Sequence, residues 1–281
     1  MNATDNSQHI DTALKSLWGA SQMPFGPAAP KPYLSPRLQL LLNQLGQMAA
    51  LRSTGILQGP NGVGKTFLVQ QFLSCLPDKR FKTFLLTHSS VTATDLLRLL
   101  CRQLGLAPRN RRSDNIALIH QGWQACDRLW PVLVLEEAQN FSALALEELR
   151  LLTCQSNDTQ PPFSLLLVGD QQLLPRLQMG INAPLLSRLS FCLHLDHWTP
   201  TELAQYLKAR LQQVGIHSDL FEPQALQLLI QAANGSPRLL NHLAQRAIQQ
   251  AIDQNCQTIS SAHLQQALDL LPWLAQLHQS P

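Results

Sequence analysis

The chain is organised around Gly59-Pro60-Asn61-Gly62-Val63-Gly64-Lys65-Thr66, an ungapped fit to the pattern G-x-x-x-x-G-K-[ST]. Residues of these types at this spacing suit one physical task. The loop backbone can wrap its N–H groups around a polyphosphate, while Lys65 neutralises the outer oxygens and Thr66 offers a hydroxyl to Mg²⁺. The flanks agree with that reading. Residues 54–58 form a short apolar stretch that predicts a strand entering the loop. Residues 67–73 predict a helix leaving it, with the positive end of its dipole towards the phosphates. Gly59, Pro60, Asn61, Gly62, Val63, Gly64, Lys65 and Thr66 are therefore candidate ligands for a nucleoside triphosphate, with ATP and Mg²⁺ as the expected cofactors.

A length of 281 residues is long for one domain and short for two large ones. An apolar content of 45% is ample for a core, and a net charge of +3 sets up no global field that demands nucleic acid, so any basic surface must be local. Six cysteines, at 75, 101, 126, 154, 192 and 256, form no C-x-x-C pair and have no histidine at ligand spacing. Four fall in apolar helical runs, which predicts buried free thiols, a reducing compartment and no metal cluster. Residues 1–8 are polar and lack the basic and apolar regions of a signal peptide. No apolar run approaches the roughly 20 residues needed to cross a bilayer. The expected location is cytoplasmic, with no membrane partner.

In chain order, residues 1–10 read as unstructured and 10–18 as a helix. Residues 24–36 are too rich in proline for a helix or a central strand. They read as a linker or, given Trp18, Phe25 and Tyr33, as a packed strap. Ser35 and Pro36 suit the cap and first position of a helix running to 51. Further strands are predicted at 82–87, 131–135, 163–168 and 191–195, and helices at 94–104, 114–128, 144–154 and 173–178. Strands separated by helices imply a parallel α/β sheet with crossover helices. Beyond residues 198–200 only helices are readable, at 201–214, 223–233, 237–253 and 260–271, with Thr201 capping the first. The expected organisation is an N-terminal segment at 1–36, an α/β nucleotide-binding domain at 37–197 and a small all-helical lid at 198–281.

A second chemical signal is Val132-Leu133-Val134-Leu135-Glu136-Glu137, an apolar strand ending in two acids. Paired with the phosphate loop, the first acid would hold the Mg²⁺ shell and the second would orient the attacking water. A third lies at Ala233-Asn234-Gly235-Ser236-Pro237-Arg238, where Pro237 suits a first helical turn and Arg238 would face the nucleotide. Arg188, just before the last strand, is placed to reach a neighbouring subunit's γ-phosphate in a ring. Arg176 is a rival for that role, and the sequence does not separate the two.

Together these motifs resemble the AAA+ ATPases, and more closely the ExeA-like branch that includes transposition helpers of the TniB, TnsC and MuB type. Leu17-Trp18-Gly19, Pro24-Phe25 and Tyr33-Leu34-Ser35-Pro36 look like the strap that opens ExeA-like proteins. Glu137-Ala138-Gln139-Asn140 followed by residues 146–152 is similar to that branch's extended Walker B and helix. Leu167-Val168-Gly169 sits where its sensor 1 strand ends, and Gly235-Ser236-Pro237-Arg238-Leu239-Leu240-Asn241 is similar to its sensor 2. The resemblance implies a P-loop NTPase fold with a helical C-terminal lid. It implies that Lys65 and Thr66 bind phosphate and Mg²⁺, Glu136 assists the metal and Glu137 is the catalytic base. Arg188 would be the trans finger and Arg238 the sensor 2 arginine. Two departures stand out: Glu136 replaces the family's usual aspartate, and Asp170 replaces an uncharged amide near the γ-phosphate, for which Gln171 is a substitute. Nucleotide binding follows more directly from the resemblance than fast hydrolysis does.

Three roles fit this resemblance. The expected one is a regulator of DNA transposition, a homo-oligomeric ring or helical filament that assembles with ATP on double-stranded DNA. It would recruit a transposase, and a target-selection protein is a further candidate partner. His88-Ser89-Ser90 and Arg109-Asn110-Arg111-Arg112 occupy the region that approaches DNA in those relatives. Arg109, Arg111 and Arg112 would make sequence-independent phosphate contacts, or else form a solvated basic loop. The second role is the cytoplasmic ATPase of an ExeA-type secretion assembly. Such proteins usually continue into a transmembrane helix and a cell-wall-binding domain, and a chain ending at Pro281 with neither is expected to favour the first role. The third is an ATP-binding switch with little turnover.

Overall fold

The computed structural model of the chain describes residues 3–25, 31–87, 92–126, 128–154 and 161–271. Two compact units emerge. The described residues up to Ser35 pack with those from His197 onward, and Pro36–Asp196 form the other unit. The N-terminal segment is thus part of the helical unit and not a separate region.

In the helical unit, α1 (Ala3–Trp18) opens the chain. It begins well before the predicted residue 10, since the polar run from Ala3 contains neither glycine nor proline to interrupt a helix. The sheet unit follows, with α2 (Pro36–Ala50), β1 (Thr54–Gln58), α3 (Lys65–Cys75), β2 (Phe81–Leu86), α4 (Ala93–Gln103), α5 (Arg112–Gln124), β3 (Trp130–Leu135), α6 (Ala143–Thr153), β4 (Ser164–Gly169), α7 (Leu173–Gln178), α8 (Ala183–Leu186) and β5 (Phe191–His194). The helical unit then resumes with α9 (Pro200–Gln213), α10 (Pro223–Ala233), α11 (Pro237–Asp253) and α12 (Ser261–Asp269). No described helix is long and apolar enough to cross a membrane.

The five strands form one parallel sheet in the order β2-β3-β4-β1-β5. Every residue of β1 and β4 is buried, as expected where helices cover both faces of a parallel sheet. Ile56, Leu133, Leu135, Leu165 and Leu167 meet Leu96, Leu100, Ile119, Leu146 and Leu149 from the helices in one core, joined by Phe141 and Phe163. Each such side chain contributes roughly 1.5–3 kcal/mol by leaving water. Gln58 pairs with Gly169, and the Glu136 N–H donates to the Leu86 carbonyl at 2.8 Å. The register therefore delivers the carboxyl ends of β1, β3 and β4 to one edge of the sheet, where ligands of open α/β sheets bind.

The helices of the helical unit are amphipathic. In α11, Leu240, Leu243, Ala244, Ala247, Ile248 and Ala251 are buried along one stripe. The chain turns into that helix through Asn234 and Gly235, both at positive φ, with Ser236 capping it and Pro237 at its first position. Helix α9 is capped by Thr199, not by the predicted Thr201. Pro200 takes the first helical position, and Thr199 and Glu202 form a reciprocal capping box. The N-terminal segment is held by direct contacts. The Trp18 indole N–H donates to the Gln257 carbonyl at 2.8 Å, Phe25 is buried, and Tyr33 packs edge-on to Tyr206 at 5.5 Å and beside Trp198 at 6.3 Å. The ends of the proline-rich stretch are thus packed, while residues 26–30 lie outside the described residues.

All six cysteines are free, but only Cys101 and Cys126 are buried. Cys75 ends α3 and is exposed, so an apolar helical run alone overstated its burial; Cys192 on the edge strand β5 is exposed as well.

Two glycines of the sheet unit make opposite demands. A Cβ built on Gly59 would lie 2.0 Å from the Leu195 carbonyl oxygen, whereas one on Gly46 in α2 would meet nothing within 4 Å. Gly59→Ala is expected to lower stability by about 3 kcal/mol, at the upper end of overpacking costs. Gly46→Ala is expected to raise it by about 0.5–1 kcal/mol. Chemical denaturation of the two variants checks both signs.

Candidate active site

Gly62 and Gly64 of the phosphate loop lie at φ 84° and 105°, a left-handed backbone that L side chains resist. They turn the chain from β1 into α3 so that the loop and the first turn of the helix present N–H groups on one side. Lys65 is the first residue of α3 and is buried. Its ammonium folds back across the loop, donating to the Gly59 carbonyl at 2.7 Å and the Pro60 carbonyl at 2.9 Å. Thr66 beside it is exposed, and its hydroxyl lies on the side of the Glu136 carboxylate, whose charged form it favours.

Glu136 is only 6% exposed, and its Oε1 has no hydrogen-bond partner. Burial pushes its carboxyl above the ordinary value. The Thr66 hydroxyl opposes that shift, the neighbouring Glu137 charge adds to it, and Lys65 opposes it. A buried carboxylate oxygen without a donor in the protein can be satisfied by a cation. The donor set, a carboxylate and a hydroxyl beside a phosphate loop, fits Mg²⁺, which Thr66 and Glu136 would hold.

Glu137 follows at φ 54°, one of four non-glycine residues at positive φ among the described residues. Such conformations cost on the order of 1–3 kcal/mol and collect at functional sites. The turn brings its carboxylate to Gln139, whose side-chain N–H₂ donates to Glu137 Oε2 at 2.9 Å. Gln139 in turn accepts the Asp170 backbone N–H at 3.3 Å through Oε1. The Asp170 carboxylate is directed elsewhere: its Oδ1 accepts the Gln172 N–H at 2.8 Å in the turn before α7. The repulsive acid that the sequence placed near the γ-phosphate thus serves as a local turn cap, while Gln171 is exposed.

The two rival arginines differ. Arg176 donates to the backbone carbonyls of Gln139, at 2.7 Å, and Phe141, so its guanidinium binds its own chain. Arg188 is exposed, and its backbone carbonyl accepts the Thr54 hydroxyl beside the start of β1. Arg238 is exposed at the start of α11 in the helical unit.

The basic stretch is also divided. Arg112 grips Glu148 of α6 through two bonds, Nε to Oε1 at 2.6 Å and Nη2 to Oε2 at 2.9 Å. Glu148 is only 6% exposed, so Arg112 compensates a buried charge. That bond holds the Arg112 guanidinium above its ordinary pKa. Buried Asn115 pins the Arg109 backbone on both sides, donating to its carbonyl at 2.9 Å and accepting its N–H at 2.7 Å. The side chains of Arg109 and Arg111 remain exposed. His88, Ser89 and Ser90 lie outside the described residues.

This geometry agrees with comparisons to known proteins. Residues 50–177 match the family model described as AAA domain. The chain carries a P-loop ATPase domain with the AAA+ fold. It is 29% identical over 249 residues to the general secretion pathway protein A of Aeromonas hydrophila, covering 83% of this chain and 44% of that protein. The chain thus spans less than half the length of this relative. Among solved structures, the Aeropyrum pernix ORC2 protein with ADPNP and ADP superposes with a TM-score of 0.67 at 19% identity, covering 90% of this chain and 72% of that one. The Aeropyrum pernix ORC1 protein in complex with DNA gives a TM-score of 0.65 at 15% identity, covering 88% and 68%. These likenesses establish the fold.

Glu136 must be ionised to take a cation. Because burial raises its pKa, the Mg²⁺-dependent part of ATP binding is expected to weaken on acidification at a pH above the ordinary carboxylate value of 4.5. Glu136→Gln should abolish that pH dependence, as followed by Mg²⁺ titration with a fluorescent ATP analogue. Arg112→Ala leaves the Glu148 carboxylate buried without its partner and is expected to lower stability by about 1–2 kcal/mol in thermal unfolding. Arg109→Ala and Arg111→Ala should leave stability within about 0.5 kcal/mol.

Proposed function

We propose that this chain is the ATP-hydrolysing component of an ExeA-type secretion assembly, working as an oligomer whose assembly follows its nucleotide state. The observation that carries this reading is the likeness over 83% of the chain to a general secretion pathway protein A. The site supports the chemical step. Lys65 and the loop N–H groups bind the β- and γ-phosphates, and Thr66 and Glu136 hold Mg²⁺, which when bound neutralises charge on the phosphate oxygens. Glu137, presented by its left-handed turn, takes a proton from the attacking water. The water oxygen bonds to the γ-phosphorus as the bond to the bridging oxygen breaks and ADP leaves. Arg188, exposed on its segment, is the group offered to a neighbouring subunit's phosphate, since Arg176 is bound to its own backbone. Arg238 is the sensor 2 arginine.

A second reading has its own support. Arg109 and Arg111 are exposed side by side on the loop entering α5, and a structural neighbour was solved with DNA. They suit a regulator of DNA transposition that binds duplex DNA through its phosphates and recruits a transposase, with a target-selection protein as a further partner. That reading loses Arg112, which is committed to Glu148.

Replacing Glu137 by glutamine retains nucleotide binding and removes the base. Turnover is expected to fall by about 10²–10⁴-fold, with the variant accumulating as an ATP-bound oligomer. Light scattering with ATP, with and without random-sequence duplex DNA across a salt series, then separates the readings. Assembly that needs ATP and is indifferent to DNA supports the secretion reading. Assembly appearing only with ATP and DNA together would replace it with the transposition reading.

A further inference from the structure

Gln139 is 7% exposed, and both ends of its side-chain amide are committed. The N–H₂ end donates to Glu137 Oε2 at 2.9 Å, and the carbonyl end accepts the Asp170 N–H at 3.3 Å. This orientation is chemically forced. Exchanging the amide nitrogen and oxygen would set an acceptor against a carboxylate and a donor against a backbone N–H. The surroundings are shaped for it. A Cβ on Gly169, the last residue of β4, would lie 2.7 Å from Gln139 Oε1, so only glycine leaves room for the amide there. From the other side, Arg176 donates to the Gln139 backbone carbonyl at 2.7 Å and is itself braced by the buried Asn182, whose Nδ2 donates to the Arg176 carbonyl at 2.9 Å.

We propose that Gln139 is a positioning residue for ATP hydrolysis: it holds the Glu137 carboxylate in one orientation and ties it to the end of β4. The inference rests on the reading of Glu137 as the base. A carboxylate on a half-buried side chain at positive φ has rotamers that point away from the water it must deprotonate. One N–H donor selects a single rotamer and leaves the other carboxylate oxygen available for the proton. Because the same amide is anchored on the Asp170 N–H, a movement of the β4 end moves the carboxylate with it. Its side-chain amide is bonded to Glu137 and to the Asp170 N–H, so it acts through Glu137.

The test uses the full chain and measures steady-state ATP hydrolysis together with affinity for a fluorescent ATP analogue. Gln139→Ala is expected to lower kcat about 10–100-fold, the cost of a base held about 1 Å out of place, with KM and analogue affinity changed less than about threefold. Gln139→Glu, which sets a like charge against Glu137, should lose at least as much. Added to Glu137→Gln, Gln139→Ala should cause no further loss, because both changes remove one function. A kcat within about threefold of the parent in Gln139→Ala, or an undiminished further loss in the double variant, would overturn the positioning role. So would a loss of analogue affinity together with the thermal transition in both Gln139 variants, which marks a purely structural residue. Full turnover in Glu137→Gln alone would instead remove Glu137 as the base. An inactive Glu137→Gln beside an active Gln139→Ala removes only the role given to Gln139.

Discussion

The parallel alignment of β1, β3 and β4 is the constraint on which the rest of the site depends. In a parallel sheet all strands end at the same edge, and crossover helices return the chain to the opposite edge each time. The phosphate loop, the two acids after β3 and the Gly169-Asp170 turn are far apart in sequence, yet they meet because each follows directly from a strand end. Full burial of β1 and β4 makes that edge rigid, since a one-residue slip of register would displace the alternating contacts of Leu165 and Leu167 with the core.

At that edge, burial and charge are set against each other. Removing Glu136 from water makes its charge unfavourable, while Thr66 and Lys65 favour it. One oxygen is left without a donor in the protein. A cation held there would satisfy that oxygen and would link nucleotide binding to metal binding. Lys65 is bound to the Gly59 and Pro60 carbonyls of its own loop.

Away from the loop, side chains with the same charge divide into structural and exposed groups. Arg112 and Arg176 look from sequence like free cations for DNA or for a neighbouring phosphate. Each instead satisfies an acceptor of its own chain, a buried carboxylate in one case and two backbone carbonyls in the other. Arg109, Arg111 and Arg188 are the exposed members of those pairs and clusters. Asp170 follows the same logic: a short acid beside backbone N–H groups caps the turn in which it sits.

What the sequence determined by itself was local chemistry and periodicity. The spacing Gly59 to Thr66, the apolar run ending in Glu136 and Glu137, and the helix-length stripes after residue 197 each report the nearest few residues. Short-range sterics and hydrogen bonding dictate that much, and the order of strands and helices follows. Only the tertiary structure decided which side chains share a partner. Gln139 bridges Glu137 and Asp170, Arg112 meets Glu148, and Gly59 lies against Leu195 because strand register and helix packing bring distant segments within hydrogen-bonding or van der Waals distance. Sequence patterns carry no record of those separations, since the same arginine or glutamine suits a solvated surface and a buried bond equally well until its neighbours are in place.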